Sequence, residues 1–137
     1  GLHFDGSKLW AADTFNSRVL MWNGIPTSVS QAPDLVLGQS SYTTRSSATT
    51  ASAMSTPFAT FSDGRKLFVA DGTHRVLIWD TIPTANFQAA NWVVGQTSMT
   101  GASANGGGSA AAGTLFSRRS ARATPLPALS RFVAVNA

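Results

Sequence analysis

The chain has 137 residues, of which 43% are hydrophobic and 12% charged, so it is long enough for one domain and apolar enough to bury a core. It contains no cysteine, which excludes disulfides and cysteine-based metal sites, and no apolar run approaches the ~20 residues of a membrane-spanning helix. Six aspartates balance the six lysines and arginines of residues 1–113, so the net charge of +4 belongs to residues 114–137. A nucleic-acid partner is not expected, because its basic footprint should run along a folded face.

The first third of the chain is a series of short runs rich in apolar residues and separated by turn residues. These runs predict strands at residues 2–4, 8–13, 18–22 and 34–38. The Asp-Gly pair at residues 5–6 favours a tight hairpin turn, since glycine adopts positive φ without strain. The strand at 8–13 has an apolar centre and should be buried on both faces. Four short antiparallel strands joined by turns are typical of one propeller blade, which we place at residues 1–43 with a truncated first strand.

The same series recurs 57–58 residues later. DGSKLWAAD at residues 5–13 matches DGRKLFVAD at 63–71, and 20 of 38 aligned residue pairs are identical when the alignment continues to Thr43. A long ordered identity of this kind indicates tandem structural units. We therefore place a second blade at residues 57–99. A β-sandwich does not need units that repeat in sequence, and a solenoid is not built from antiparallel strands, so both fit the repeat less well.

The segments between and after the blades differ from them in composition. Residues 44–56 are rich in Ser and Thr, and residues 100–113 are rich in Gly, Ala and Ser, so both are expected to be flexible surface loops. Residues 114–137 are either a degenerate start of a third blade or a disordered basic tail. The predicted fold is therefore all-β, a partial propeller of two blades plus a degenerate third. Because closed propellers have four to eight blades, we expect the chain to be a fragment of a larger repeat protein that contributes further blades, with ring closure by self-association as the alternative.

Six positions form a recurring structural signature: Asp13, Arg18, Trp22, Asp71, Arg75 and Trp79. The tryptophans end the third strand of each blade, where a large ring can fill the space between blades. The aspartates and arginines flank the preceding turn, where a carboxylate can accept backbone N–H groups and pair with the arginine. Alternatively, the arginines line one mouth of the propeller and bind anionic ligands. On that interpretation the candidate binding residues are Arg18, Arg75 and the neighbouring His74.

The segments at residues 11–22 and 69–79 resemble the NHL-repeat signature, which runs Val-Ala-Asp, an Asn-rich turn, Arg-Val and an aromatic residue. The resemblance covers residues 1–99. The Ile-Pro-Thr and Val-Leu-Gly-Gln stretches resemble a bacterial subgroup with long repeats, which implies an exported, extracellular or periplasmic protein with many copies. The second unit departs from the signature, because its turn is one residue shorter and His74 precedes the arginine.

The resemblance implies a non-enzymatic scaffold that binds another protein or a small polar ligand without a cofactor. Some NHL-type propellers resemble peptidyl-hydroxyglycine lyases, which hold zinc through histidines at the propeller axis. The two histidines, His3 and His74, stand at non-equivalent positions of the repeat and do not make a three-histidine site, so neither a metal nor a catalytic residue is expected. A nucleic-acid-binding NHL module is the other alternative, and the neutral repeats argue against it.

Overall fold

The computed structural model describes residues 1–115 and is all-β, with two four-stranded antiparallel sheets. Blade 1 contains β1 (Leu2–Phe4), β2 (Leu9–Asp13), β3 (Arg18–Trp22) and β4 (Leu35–Leu37). Blade 2 contains β5 (Ala59–Ser62), β6 (Leu67–Asp71), β7 (Arg75–Trp79) and β8 (Trp92–Val94). Consecutive strands are neighbours in both sheets, which confirms the prediction of an all-β fold made of blade-like sheets. The predicted third blade or basic tail spans residues 114–137, and all of it except residues 114 and 115 lies outside the described part of the chain.

Each blade begins with the hairpin that the Asp-Gly pair predicts. Gly6 has a φ of +96°, and Gly64 has a φ of +82°, a backbone region that favours glycine. Asp5 Oδ1 accepts the backbone N–H groups of Ser7 at 2.9 Å and Lys8 at 2.7 Å. Asp63 makes the same two bonds in blade 2. The aspartate thus holds the turn in a conformation that only glycine adopts at low cost, and this sets the register of the first two strands.

The two sheets pack face to face, with one hydrophobic core between them. Its strand residues from blade 1 are Trp10, Val19, Met21, Leu35 and Leu37, and those from blade 2 are Leu67, Val69, Leu77 and Trp79. Side chains alternate across a strand, so these residues lie on a single face of each sheet. We call the face of blade 1 that packs against blade 2 its front face, and we use the same name for the equivalent face of blade 2. The opposite face of each blade is its back face. The core thus joins the front face of blade 1 to the back face of blade 2.

Equivalent strands therefore bury opposite sets of side chains. In β3 the buried residues are Val19 and Met21, whereas in β7 they are Arg75, Leu77 and Trp79. The sequence pattern predicted a strand buried on both faces at residues 8–13, and this is wrong within the described part of the chain. Only Trp10 is fully buried in β2, because residues 1–115 provide no sheet to cover the back face of blade 1.

The segment between the blades packs into the structure at its C-terminal end. Ala53 and Met54 are buried, and Ala53 forms a parallel bridge with Gly38 at the end of β4. We expected a surface loop over the whole of residues 44–56, but an apolar Ala-Met pair closes it and joins the core. The Ser/Thr-rich part preceding this pair remains largely exposed.

The outer edge of blade 1 is covered by the connection between β7 and β8. The Val36 backbone N–H donates to Asn86 Oδ1 at 3.0 Å, and the Phe87 N–H donates to the Val36 carbonyl at 2.9 Å. All three residues of β4 are buried, whereas β8 leaves Trp92 and Val94 exposed. A neighbouring blade therefore shields the sheet edge that would otherwise offer unpaired backbone groups.

Candidate functional site

The loops of both blades lie at the two ends of the sheets. The link side carries the β2–β3 and β6–β7 turns with the inter-blade segments, and the hairpin side carries the Asp-Gly hairpins with the β3–β4 and β7–β8 connections. The predicted Asp-Arg positions lie on the link side, since β2 and β6 end at the aspartates and β3 and β7 begin at the arginines.

Arg75 and Asp71 form a fully buried ion pair on the back face of blade 2. The Arg75 Nη2 and Nε atoms lie 2.7 Å and 2.9 Å from Asp71 Oδ2, and both side chains have 0% exposure. The same guanidinium donates to the Thr50 carbonyl at 3.1 Å, to the Ala53 carbonyl at 2.9 Å and to the Met99 carbonyl. It therefore ties the preceding inter-blade segment to blade 2 and presents no surface to an external anion.

The equivalent pair in blade 1, Asp13 and Arg18, is more open. Arg18 Nε lies 2.7 Å from Asp13 Oδ2, and the two side chains are 17% and 28% exposed. Arg18 also donates to the Tyr42 carbonyl, which corresponds to the Met99 carbonyl of blade 2. Among the described residues, no carbonyls take the places that Thr50 and Ala53 have around the arginine of blade 2.

His74 lies in the β6–β7 turn and is 8% exposed. Its φ is +60°, and Ser17, at the equivalent place before Arg18, has a φ of +53°. In both turns, a residue with left-handed backbone conformation therefore stands directly before the arginine, although the second turn is one residue shorter. His3 lies on β1, where its ring contacts Phe61 and its Nε2 lies 2.9 Å from the Ser62 carbonyl. Within residues 1–115, no three His, Cys, Asp or Glu side chains are grouped closely enough to hold a metal ion.

Gln39 is a structural residue that the sequence analysis did not single out. It is 2% exposed, and its Nε2 donates to the Ser17 carbonyl at 3.0 Å and the Ser46 carbonyl at 2.6 Å. Gln96 bonds to the carbonyls of His74 and Ser103 in the same way. The Gly-Gln pair that recurs after the fourth strand was the available signal. In both blades the glutamine amide joins the turn before the third strand to the segment that follows the fourth strand, which explains why glutamine recurs there.

The hairpin side contains a cleft of about 470 Å³ between the blades. Its floor includes Met21, Leu35 and Ile82, and its rim includes Lys8, Asn23 and Asp34. The Lys8 ammonium donates to Asn23 Oδ1 at 2.6 Å, and the Asn23 backbone N–H donates to Asp34 Oδ2 at 2.8 Å. The cleft thus places one cation and one carboxylate beside an apolar floor.

Asp5 lies beside Lys8 at the cleft and has a structural role. Partial burial raises the pKa of Asp5, but the backbone N–H groups of Lys8 and Ser7 and the side chains of Trp10 and Ser62 together hold it well below its usual range. Asp5 Oδ2 accepts Trp10 Nε1–H at 3.1 Å and the Ser62 hydroxyl at 2.8 Å. The second bond joins the two blades, so this carboxylate is ionised and fully engaged at neutral pH.

Comparison of the chain with family models, curated proteins and solved structures found no match. The resemblance to NHL repeats therefore stays a prediction based on the residues of the two units. Within residues 1–115, no helix has the length and apolar character needed to cross a membrane. The fold and the two polar regions described above are the basis for a functional proposal.

Proposed function

We propose that this chain is a non-enzymatic, NHL-type propeller segment that acts as a binding scaffold, with the hairpin-side cleft as its recognition surface. The cleft supports this proposal because its apolar floor is continuous with the core that joins the two blades: Met21 and Leu35 belong to that core, and Ile82 packs against it. Binding sites are commonly concave and mostly apolar with a few placed polar groups. The recurring Asp-Arg pairs, by contrast, are engaged with the backbone and with each other.

The rim chemistry favours a short peptide segment or a small zwitterion. Lys8 offers a cation to a carboxylate, and Asp34 offers a carboxylate to an ammonium group or to backbone N–H donors. The apolar floor suits a side chain between them. The equivalent lysine of blade 2, Lys66, forms an exposed ion pair with Asp80 at 2.7 Å and does not line the cleft, so it provides a matched control.

The test is a titration of the ¹⁵N-labelled full chain with a set of uncapped tripeptides, followed by amide chemical shifts. We expect shifts concentrated at Lys8, Asn23 and Asp34 for some of the peptides. Lys8→Met should weaken their binding roughly tenfold, since a hydrogen bond to a charged group is lost, whereas Lys66→Met should leave it unchanged. Equal weakening by both variants, or the absence of localised shifts with every peptide, would overturn the proposal.

A zinc-dependent lyase predicts a different result in the same sample. A metal that binds only the folded chain raises its melting temperature. The scaffold proposal includes no zinc site, so it predicts that added zinc leaves the melting temperature unchanged. A rise of several degrees at micromolar zinc would favour the enzyme instead.

A further inference from the structure

The front face of blade 2 is apolar, and no sheet covers it within residues 1–115. Its side chains on β6, β7 and β8 are Phe68, Ala70, Val76, Ile78, Trp92 and Val94. Trp92 is 61% exposed and Val94 48% exposed. The same six positions are apolar on the front face of blade 1: Trp10, Ala12, Val19, Met21, Leu35 and Leu37. That face packs against the back face of blade 2, so the uncovered one has the chemistry to receive another back face.

The back face of blade 1 is the matching surface. It presents Leu9, Leu20 and Trp22, which are identical to the Leu67, Leu77 and Trp79 that fill the core from the back face of blade 2. Leu9, Leu20 and Trp22 are only partly buried and do not belong to the core. Residues 1–115 thus present two different faces that no sheet of this part covers, each equivalent to one side of the internal interface.

We propose that a second copy of this chain packs head to tail on the first, placing the back face of its blade 1 on the front face of blade 2. This contact repeats the internal interface between the blades. It is heterologous, because the two copies contribute different surfaces, so it forms rings if the rotation closes. Propellers typically close with four to eight blades, which corresponds to two, three or four copies.

The open side of Arg18 supports this arrangement. Ala53 of the inter-blade segment forms a parallel bridge with Gly38, and Thr114 of the segment after blade 2 forms the same bridge with Gly95. Each bridging residue closes a hydrogen-bonded four-residue segment, at residues 50–53 and 111–114, although the backbone bond runs from the Thr50 N–H to the Ala53 carbonyl in the first and from the Thr114 N–H to the Ala111 carbonyl in the second. In the head-to-tail contact, residues 111–114 of one copy stand beside Arg18 of the next, as residues 50–53 stand beside Arg75. The Thr114 carbonyl then takes the place that the Ala53 carbonyl has beside Arg75, whereas the Ala111 carbonyl already accepts the N–H and the hydroxyl of Thr114.

Residue differences at the positions equivalent to the internal interface limit how tight this contact can be. Val29 occupies the position of Asn86, so the second copy has no amide oxygen to accept the Val93 N–H. Phe4 occupies the position of Ser62, so the hydroxyl that bonds to the hairpin aspartate across the blades is absent. Both changes exchange a polar contact for an apolar one. We therefore expect a concentration-dependent association held mainly by apolar burial.

The experiment measures the mass of the full chain in solution by sedimentation velocity, with one charged substitution on each end face. Leu20→Arg blocks the back face of blade 1, and Ile78→Arg blocks the front face of blade 2. The unmodified chain of 14.3 kDa should form species of two to four copies. Each variant alone should be a single chain, because every contact needs one face of each kind. An equal mixture of the two should form a 1:1 dimer of about 29 kDa and nothing larger, since one intact pair of faces remains.

Other occupants of these faces give different outcomes. A monomeric unmodified chain would overturn the proposal. If a chain truncated after Leu115 then associates although the full chain does not, the occupant of the face is residues 116–137 and not a second copy. Association that only one of the two variants abolishes would indicate a symmetric contact and also overturn it. Circular dichroism establishes that both variants are folded. Arg18→Gln provides a second readout and should weaken association roughly tenfold without unfolding the chain.

Discussion

Blade 1 and blade 2 have the same residue at most of their structural positions, yet those residues have different surroundings. Trp79 is fully buried in the core, whereas its equivalent Trp22 is only partly buried on the back face of blade 1. Leu77 and Leu20 differ in the same way. The neighbour of each sheet, and not the residue itself, decides which face is buried. A repeat that works in any position must therefore be largely apolar on both faces of its sheet.

The two Asp-Arg pairs show the same effect for polar groups. In blade 2 the carbonyls of the preceding inter-blade segment surround the guanidinium, and the pair is excluded from solvent. In blade 1 these two carbonyl contacts are missing from the described part of the chain, and the pair keeps 17% and 28% exposure. A buried charge costs free energy unless its hydrogen bonds are complete. The stability of the Asp71–Arg75 pair therefore depends on the carbonyls of Thr50 and Ala53.

The largest expected difference between the blades comes from removing each arginine. Arg75→Met leaves the Asp71 carboxylate buried without its partner and should cost about 3–5 kcal/mol. Arg18→Met breaks a partly exposed pair and should cost about 1 kcal/mol or less. Urea denaturation measures both free energies of unfolding, in the Ile78→Arg background so that association does not contribute. Equal losses would show that burial does not distinguish the two pairs.

Truncation of equivalent leucines should give the next largest difference. Leu77→Ala removes a fully buried side chain from the core and should cost about 2–5 kcal/mol. Leu20→Ala removes a side chain from an uncovered face, and we expect less than about 1 kcal/mol. The same urea titrations compare the two variants. A loss at Leu20 as large as that at Leu77 would mean that the back face of blade 1 is covered in the single chain.

Two glycines with positive φ allow a comparison between a turn in solvent, at Gly6, and the end of β4 under the inter-blade segment, at Gly38. A Cβ atom at Gly38 would lie 2.7 Å from the Ser17 carbonyl oxygen and 2.8 Å from Met54 Cγ, whereas one at Gly6 would meet no atom within 4 Å. Gly6→Ala should therefore cost only the strain of its φ, about 1–2 kcal/mol. Gly38→Ala adds overpacking and should cost about 2–4 kcal/mol in thermal or urea unfolding. Similar costs at both sites would contradict the close packing of Met54 over Gly38.

The sequence predicted the strands well because each strand carries its own signal. Val19 and its neighbours are β-formers, and the Asp-Gly pair marks the hairpin, so these elements follow from local residues. Which face is buried did not follow, because identical residues such as Trp22 and Trp79 have no local difference. The burial of Met54 was missed for the same reason, since a single apolar residue in a Ser/Thr-rich segment carries no periodic pattern. The cleft needs both blades and was not visible in either unit.

The smallest expected effect concerns the two hairpin aspartates. Asp5 bonds to blade 2 through the Ser62 hydroxyl, whereas Asp63 accepts its main hydrogen bonds from the backbone N–H groups of Lys66 and Arg65 within its own turn. Burial raises the pKa of Asp5, but four hydrogen bonds to the carboxylate outweigh this effect. The pKa of Asp5 therefore lies below its ordinary value of 3.8. The Lys66 and Arg65 amides lower the pKa of Asp63 as well.

Both carboxylates therefore stabilise the folded chain in their ionised form. Their contribution is complete above the unfolded pKa and is lost as the pH falls below about 4 toward the lower folded value. Asp5→Asn should reduce the loss of stability between about pH 5 and pH 2 more than Asp63→Asn does, because Asp5 also joins the blades. Urea titrations at several pH values measure this slope. If Asp63→Asn flattens it as much as Asp5→Asn, the hairpin alone accounts for the pH dependence and the bond between the blades adds nothing to it.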